Sequence, residues 1–347
     1  MSQLKELKAA TALRQVAQLL DVKAGMLSYE LYKRPKATLY SKFDVPKRFG
    51  GKREIWAPNK ELKLLQHRLS LLLTNCVAEI NTANGHIEDP ERRGIAHGFK
   101  RHHTIMTNAR EHVTRRYVFN VDLHNFFGMI NFGRVRGFFI KNRNFALNPK
   151  VATILAQIAC YENRLPQGSP CSPVISNLIG HTLDIPLARL ARATDCTYTR
   201  YADDLTFSSN RPLFSNRVAT KPDPNLEVWA PGIGLKRLVA KAGFDFNDKK
   251  TRMQYRDSRQ EVTGLVVNRK VNVSASYRYT VRAMVDSLFK TGKFEYLREQ
   301  DDGKGVKVVI KTPGKTEALQ GMLSYIDQID IFNRALCERN EPVRNIV

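Results

Sequence analysis

The sequence predicts an α+β fold in which helices enclose an antiparallel sheet. Three observations lead there. CTYTRYADDLTFSS (196–209) reads as strand, tight turn, strand. RRYVFNVDL (115–123) is an apolar strand with a charged residue near its end. Around them, ELKLLQHRLSLLLTNCVAEI and several later segments repeat apolar residues at helical spacing. With 347 residues, 42% of them hydrophobic, the chain has material for two or three lobes.

Taken in order, Leu4, Leu7, Ala10, Leu13, Val16, Leu19 and Leu20 keep helical spacing, and a break at Gly25 precedes a second apolar stretch. Two short helices fit this pattern, as a packed pair or as a DNA-reading helix-turn-helix; the packed pair is the favoured reading. FDVPKRFGGKREIWAP (43–58) suggests two strands joined at Gly50–Gly51, with four cations nearby. A long amphipathic helix follows, then a polar loop at 81–94. FGRVRGFFI and PKVATILAQIACY read as helices, and residues 164–193 as a proline-punctuated loop entering a helix. Residues 210–232, rich in Pro and Asn, read as an insertion loop. KRLVAKAGFDFNDKKT is a helix and turn, and RQEVTGLVVNRKVNV a β-hairpin. From Tyr277 the pattern is helical again, broken by the basic, strand-like VKVVIKTPGK. Repeats and low-complexity tracts are absent.

The formal charge is +23. Such an excess repels itself on folding, so a polyanionic partner is its natural counterpart. The basic residues are spread along the chain, not clustered beside an apolar anchor, and no apolar run is long enough to span a bilayer; a membrane partner is not expected. The start, MSQLKELKAATALRQ, carries Glu6 and lacks the apolar stretch of a secretory signal. Five scattered cysteines without a CxxC pair read as reduced thiols, so a cytoplasmic setting is expected. His97, His102 and His103 lack the spacing of a zinc site.

The chemistry concentrates in three strings. Asp203–Asp204 sit side by side at a hairpin tip flanked by strand residues, where two carboxylates repel and call for a positive counterpart. A solvated turn is the ordinary reading of an Asp-Asp pair, but the flanking strands weaken it. Asp122 ends an apolar strand, where an unpaired carboxylate is costly. Taken alone it would read as a structural Asp bonded to backbone amides. Together the three acids offer hard oxygen ligands suited to two Mg²⁺ ions and an in-line phosphoryl displacement. LPQGSPCSP (165–173) is an exposed loop with free amides running into a helix, suited to holding phosphates.

In that order, VDLHNFF, LPQGSPCSP and RYADDLTF resemble the core motifs of bacterial reverse transcriptases over roughly residues 40–340. The resemblance implies a right-hand polymerase: an N-terminal helical extension (1–40), fingers with part of the palm (41–115), a palm (116–270) holding a fingers segment around 130–165 and the insertion 210–232, and a thumb (271–347). It implies Asp122, Asp203 and Asp204 as catalytic metal ligands, joined by the Leu123 carbonyl. It further implies Lys52, Arg53, Phe126, Phe127, Gln167, Gly168 and Lys250 as dNTP contacts. Phe127, five residues after Asp122, falls where such enzymes exclude the ribose 2′-OH. Lys249 or Lys250 would orient or protonate the leaving pyrophosphate, although lysines in a KKT string are commonly just solvated.

NAREH (108–112) and VTG (262–264) narrow the resemblance to retron reverse transcriptases. These imply a cognate structured non-coding RNA as template and primer, initiation from a guanosine 2′-OH, a branched RNA–DNA product, and antiphage defence with a separate effector protein. Asn108, His112, Val262, Thr263 and Gly264 are the implied RNA contacts, while Arg278, Arg282, Lys290 and Lys293, several on one face of the late helix by their spacing, read as a grip on the phosphates of the template–product duplex or as a solvated helix face. Local roles compete with that reading: a helix cap for Asn108, a buried hydrogen bond for His112, a strand position for Thr263. For 81–94 and 210–232, contact with the RNA or a partner and simple decoration both stay open. Intron-derived or diversity-generating reverse transcriptases share the palm. RNA-dependent RNA polymerases favour G-D-D over Y-A-D-D, and an idle RNA-binding relative would be expected to have lost part of the acidic triad.

Overall fold

The computed structural model describes residues 2–46, 51–85, 94–223, 225–301 and 307–338. Gly50 of the expected turn and most of the 81–94 loop lie outside the described residues. The chain divides into two compact units. One comprises Met1–Thr104, Phe119–Phe207 and Arg211–Met253, the other Ile105–Val118, Ser208–Asn210 and Gln254–Val347.

The first unit opens with three helices, α1 (Gln3–Ala9), α2 (Leu13–Leu19) and α3 (Ala24–Tyr32), where the apolar spacing suggested two. Gly25 lies inside α3. The breaks fall instead at Ala10–Ala12, where the Gln15 side chain accepts from the amides of Thr11 and Ala12, and near Asp21, whose backbone is left-handed. The hairpin β1 (Tyr40–Pro46) and β2 (Lys52–Pro58) pairs Tyr40 with Pro58 through Pro46 with Lys52. Asn59 then caps α4 (Lys60–Ala83) by accepting from the Leu62 amide. Along α4, Leu62, Leu65, Leu69, Leu72, Leu73 and Cys76 form one buried stripe.

After α5 (Ile105–Arg110) come β3 (Tyr117–Asp122), the single turn α6 (Phe126–Met129), α7 (Phe132–Lys141), α8 (Pro149–Ala159) and α9 (Ser172–Ala193). Strands β4 (Thr197–Tyr201) and β5 (Asp204–Ser209) follow, then the short pair β6 (Ala219–Thr220) and β7 (Ala230–Pro231), helix α10 (Ile233–Lys241) and β8 (Arg252–Tyr255). The residues 210–232 are therefore not a bare loop; they contain a two-residue antiparallel ladder. The main sheet has the order β4-β5-β3-β8. Strands β5 and β3 are internal, and β5 is buried from Leu205 to Ser209. That leaves the end of β3 and the start of β5 as neighbours, which is where the acids stand. The sequence alone assigned β8 to no element; RMQY is too short to show its alternation.

In the second unit, β9 (Glu261–Val262) and β10 (Leu265–Val266) form a hairpin whose two turn residues, Thr263 (φ 49°) and Gly264 (φ 81°), are both left-handed. Ala109, Val118, Val262, Leu265, Val267, Val271, Val273 and Ile329 make its main core. Helix α11 (Ala275–Thr291) is capped by Ser274, which accepts from the Tyr277 amide, and stopped by Gly292 at φ 70°. The basic string forms β12 (Lys307–Pro313), paired antiparallel with β11 (Glu295–Asp301), before α12 (Thr316–Glu338). β11 stood within a segment read as helical; EYLREQD has helix-forming residues, and the ladder to β12 overrides them. Among the described residues no helix is long and apolar enough to cross a membrane.

Candidate functional site

The turn between β4 and β5 has only two residues, Ala202 and Asp203, and Ala202 is left-handed at φ 57°. So tight a reversal fixes Asp203 and Asp204 in direction. The Asp203 carbonyl accepts from the Leu123 amide at 2.9 Å, which binds the turn to the end of β3 beside Asp122. Asp122 is buried, 4% exposed. Its carboxylate accepts from Asn247 Nδ2 at 3.1 Å and pairs with Lys250 Nζ at 2.7 Å, while its carbonyl accepts from the Asn247 amide at 2.8 Å. The sequence therefore brings three acids together around one lysine.

The electrostatics record the crowding. Desolvation and the charge of Asp122 raise the Asp203 carboxyl above its ordinary range, against smaller opposing effects from Lys250 and Arg53. Desolvation, then the charges of Asp203 and Asp122, push Asp204 up to about 7, although its side chain reaches solvent at the turn. Burial works against the Lys250 ammonium, but its bond to Asp122 and the three acidic charges hold it above the usual lysine range. Among the described residues no three His, Cys, Asp or Glu side chains stand in ready ligand geometry, and Lys250 and Asn247 are bonded to the Asp122 oxygens. The donor set nevertheless suits a hard divalent cation: adjacent carboxylates, partly desolvated, carrying more negative charge than one lysine offsets.

Other expected residues gather in the same unit. Gln167 and Gly168 dock against the β1–β2 hairpin: the Gln167 carbonyl accepts from the Trp56 amide at 2.7 Å, and Gly168, at φ 124°, has no room for a Cβ beside the Trp56 carbonyl. Lys52 and Arg53 are exposed on β2, with Lys52 near Asp44 at 3.8 Å. Phe127 is half-buried at the start of α6. Phe126, expected at the nucleotide, is only 2% exposed, its ring packed 5.3 Å from Phe244; it is a core residue. Leu123 is likewise buried. Lys250, not Lys249, reaches Asp122.

The expected RNA contacts in the second unit divide. Asn108, His112 and Val262 are enclosed, at 1%, 0% and 0% exposure, and His112 Nδ1 lies 2.7 Å from Ser208 Oγ. Their side chains shape the unit from within and cannot meet RNA as they stand. Thr263 is half-buried, its hydroxyl donating to the Ile105 carbonyl, whereas Gly264 is exposed. Arg278 is engaged by Asp330 and Asn272, and Arg282 is exposed.

The sequence reading missed Asn247 and a buried network behind the acidic turn. Arg200 donates to both oxygens of Asp184 at 2.8 Å each, Tyr198 donates to the same carboxylate at 2.9 Å, and Arg200 Nη1 donates to the Ala202 carbonyl at 3.1 Å. The guanidinium lies against Gly180, where a Cβ would approach it to 2.9 Å. The signal was available: an arginine inside the strand TYTRY needs a buried acid.

A profile of the reverse transcriptase (RNA-dependent DNA polymerase) family matches residues 35–297, so the chain belongs to that family and has its right-hand polymerase fold. Such an enzyme copies an RNA template and depends on a divalent metal. More narrowly, the chain is 35% identical to the retron Mx65 reverse transcriptase of Myxococcus xanthus over 324 residues, 88% of this chain and 69% of that protein. It is 31% identical to the retron Ec86 reverse transcriptase of Escherichia coli over 249 residues, 71% of this chain and 69% of that protein. It is a retron-type RNA-directed DNA polymerase. A solved apo telomerase from Candida tropicalis, truncated from its C-terminal domain, overlays at a TM-score of 0.41 with 14% identity, over 70% of this chain and 56% of that one. That likeness is too slight to carry an argument.

Proposed function

We propose that this polymerase copies one cognate structured non-coding RNA into branched, RNA-linked single-stranded DNA, with Asp122, Asp203 and Asp204 holding two Mg²⁺ ions. The observation that carries the site assignment is the acidic excess: three carboxylates share one lysine. Bound divalent cations would offset that charge and stabilise the attacking and leaving oxygens of the displacement. The chain's own residues supply the rest. The two-residue turn directs Asp203 and Asp204, and Asn247 orients Asp122. Phe127 excludes the 2′-OH by contact. Gln167, Gly168, Lys52 and Arg53 line the path of the incoming dNTP, a reading supported by the docking of the hairpin on the LPQG loop. Lys250 serves the leaving pyrophosphate.

In this reading residues 1–40 are a helical extension, 41–115 fingers with part of the palm, 116–270 palm with its fingers segment and insertion, and 271–347 thumb. RNA contact falls to the accessible Gly264 and Arg282 with Thr263, while Asn108 and His112 stay enclosed. Retron kinship supports priming from a guanosine 2′-OH and a role in antiphage defence beside a separate effector, in the cytoplasm. Structured RNA would be read by shape, through 2′-OH and phosphate contacts.

The test is to express the chain with the RNA gene beside its own, extract small DNA, and treat it with debranching enzyme and RNase. DNA whose mobility changes on debranching, absent with Asp203→Asn, is the expected result. Linear DNA made equally well on unrelated templates would leave a general reverse transcriptase.

A further inference from the structure

We propose that Phe99 is a second determinant of sugar selection, a positioning residue that holds the Phe127 ring. This rests on the reading of Phe127 as the 2′-OH gate. Among the described residues Phe127 has two aromatic neighbours. Phe126 lies 5.6 Å away at 68°, fixed in the core. Phe99 lies 6.1 Å away at 60°, the edge-to-face geometry that aromatic pairs favour.

Core burial does not account for Phe99. The residue is 51% exposed, and its backbone is left-handed at φ 56°, a region bulky residues rarely occupy. The surroundings impose that conformation. Gly98, the preceding residue, abuts the Ala202 amide so closely that any Cβ would collide with it. The Gly98 carbonyl accepts from Asn177 Nδ2 at 2.7 Å, and Asn177 Oδ1 accepts from Arg200 Nη1 at 3.3 Å. The same Arg200 nitrogen donates to the Ala202 carbonyl, and the Arg200 carbonyl accepts from the His97 amide at 2.8 Å. The segment presenting Phe99 is thus fastened to the turn that carries Asp203.

The functional sense follows from what a gate must do. Excluding one hydroxyl oxygen by contact tolerates little movement of the excluding ring. Phe126 fixes Phe127 to the core, and Phe99 restrains it through a segment registered on the acids. Strain of this kind persists where the surroundings over-determine it, and it collects at functional sites.

The experiment compares kcat/KM for a dNTP and its matching rNTP on one RNA template, in the full chain and in Phe127→Ala, Phe99→Ala, Phe99→Tyr and Phe99→Ala/Phe127→Ala. Phe99→Ala should lower the preference for dNTP about tenfold, the scale of a small misfit in a contact pocket, through a rise for rNTP with dNTP turnover kept. Phe99→Tyr should keep the wild-type preference. The double variant should match Phe127→Ala, because Phe99 acts through Phe127. An unchanged ratio in Phe99→Ala while Phe127→Ala shifts it overturns the inference and leaves the gate standing. Equal loss for both nucleotides in Phe99→Ala also overturns it, in favour of a template or packing role. An unchanged ratio in Phe127→Ala removes the gate itself and this inference with it.

Discussion

Strand β4 serves two charge clusters a few residues apart. At Arg200 one guanidinium meets one carboxylate in a bidentate pair, with Tyr198 and Asn177 filling further positions, and both charged side chains are at most 2% exposed. Burial opposes the charge on Arg200, but Asp184 outweighs it and raises the guanidinium further. Around Asp203 three acids face one lysine, and desolvation first, then mutual repulsion, leaves two of their carboxyls raised. The first cluster is complete within the protein. The second carries more negative charge than its one lysine offsets. Burial alone does not separate structure from function here; charge balance does.

That contrast can be broken most sharply by removing one acid from each cluster. Asp203→Asn should lower dNTP incorporation on the order of a thousandfold, because it strips charge from the metal site. It should leave the melting temperature of the cation-free protein unchanged or higher, since one of three repelling groups is gone. Asp184→Asn should do the reverse to stability: breaking a fully buried pair costs about 3–5 kcal/mol. Replacing both members, as Arg200→Met with Asp184→Leu, should recover much of that loss. Denaturant melts of the four proteins with single-nucleotide incorporation decide the matter. A destabilised Asp203→Asn would mean that the acidic cluster is structural after all.

The two clusters were not equally legible in the sequence. Asp122, Asp203 and Asp204 stood out because carboxylates at strand ends break the local pattern; β3 was visible as an apolar run, and β4 and β5 as a strand–turn–strand pattern. Asp184 was hidden inside a long amphipathic helix, and its pairing with Arg200 depends on how α9 crosses the sheet, which no local pattern encodes. β8 and β11 were lost for a related reason. Four residues of RMQY are too few for alternation, and EYLREQD is a strand only because β12 lies beside it. The burial of Asn108, His112 and Val262 was equally out of reach, since motif strings report residue type and not which way a side chain faces.

A smaller effect should appear with pH in the cation-free protein. Asp204 titrates near 7 when folded, above its ordinary range, so between those limits the folded state binds more protons than the unfolded state. The sign follows: its ionisation lowers stability as pH rises from about 4 to 7. Under chelation the melting temperature should therefore fall across that window, and Asp204→Asn should flatten the slope. Adding Mg²⁺ at neutral pH should raise the wild-type melting temperature by mass action, with a smaller shift in Asp204→Asn. An equal shift in both proteins would place the bound ion elsewhere.

Lys250 provides the smallest and most discriminating test, because it stands between the clusters' two logics. Its ammonium lies 2.7 Å from Asp122 Oδ2, partially completing the acidic site as Asp184 completes Arg200. Its side chain is 59% exposed, so solvent screens the pair and its strength is about 1 kcal/mol or less. An incoming divalent cation competes with that ammonium for the same carboxylate. Lys250→Met should therefore tighten Mg²⁺ binding by roughly fivefold at most, the equivalent of 1 kcal/mol. If Lys250 also serves the leaving pyrophosphate, kcat should fall at saturating Mg²⁺ even as the cation binds better. Lys249→Met is the matched control, since Lys249 is adjacent in sequence and makes no described bond to Asp122. Opposite movements of metal affinity and kcat in Lys250→Met, with neither in Lys249→Met, assign the lysine both roles. Tighter Mg²⁺ binding with unchanged kcat would reduce Lys250 to a counter-charge, and no change in either would return it to the solvated lysine that the string KKT first suggested.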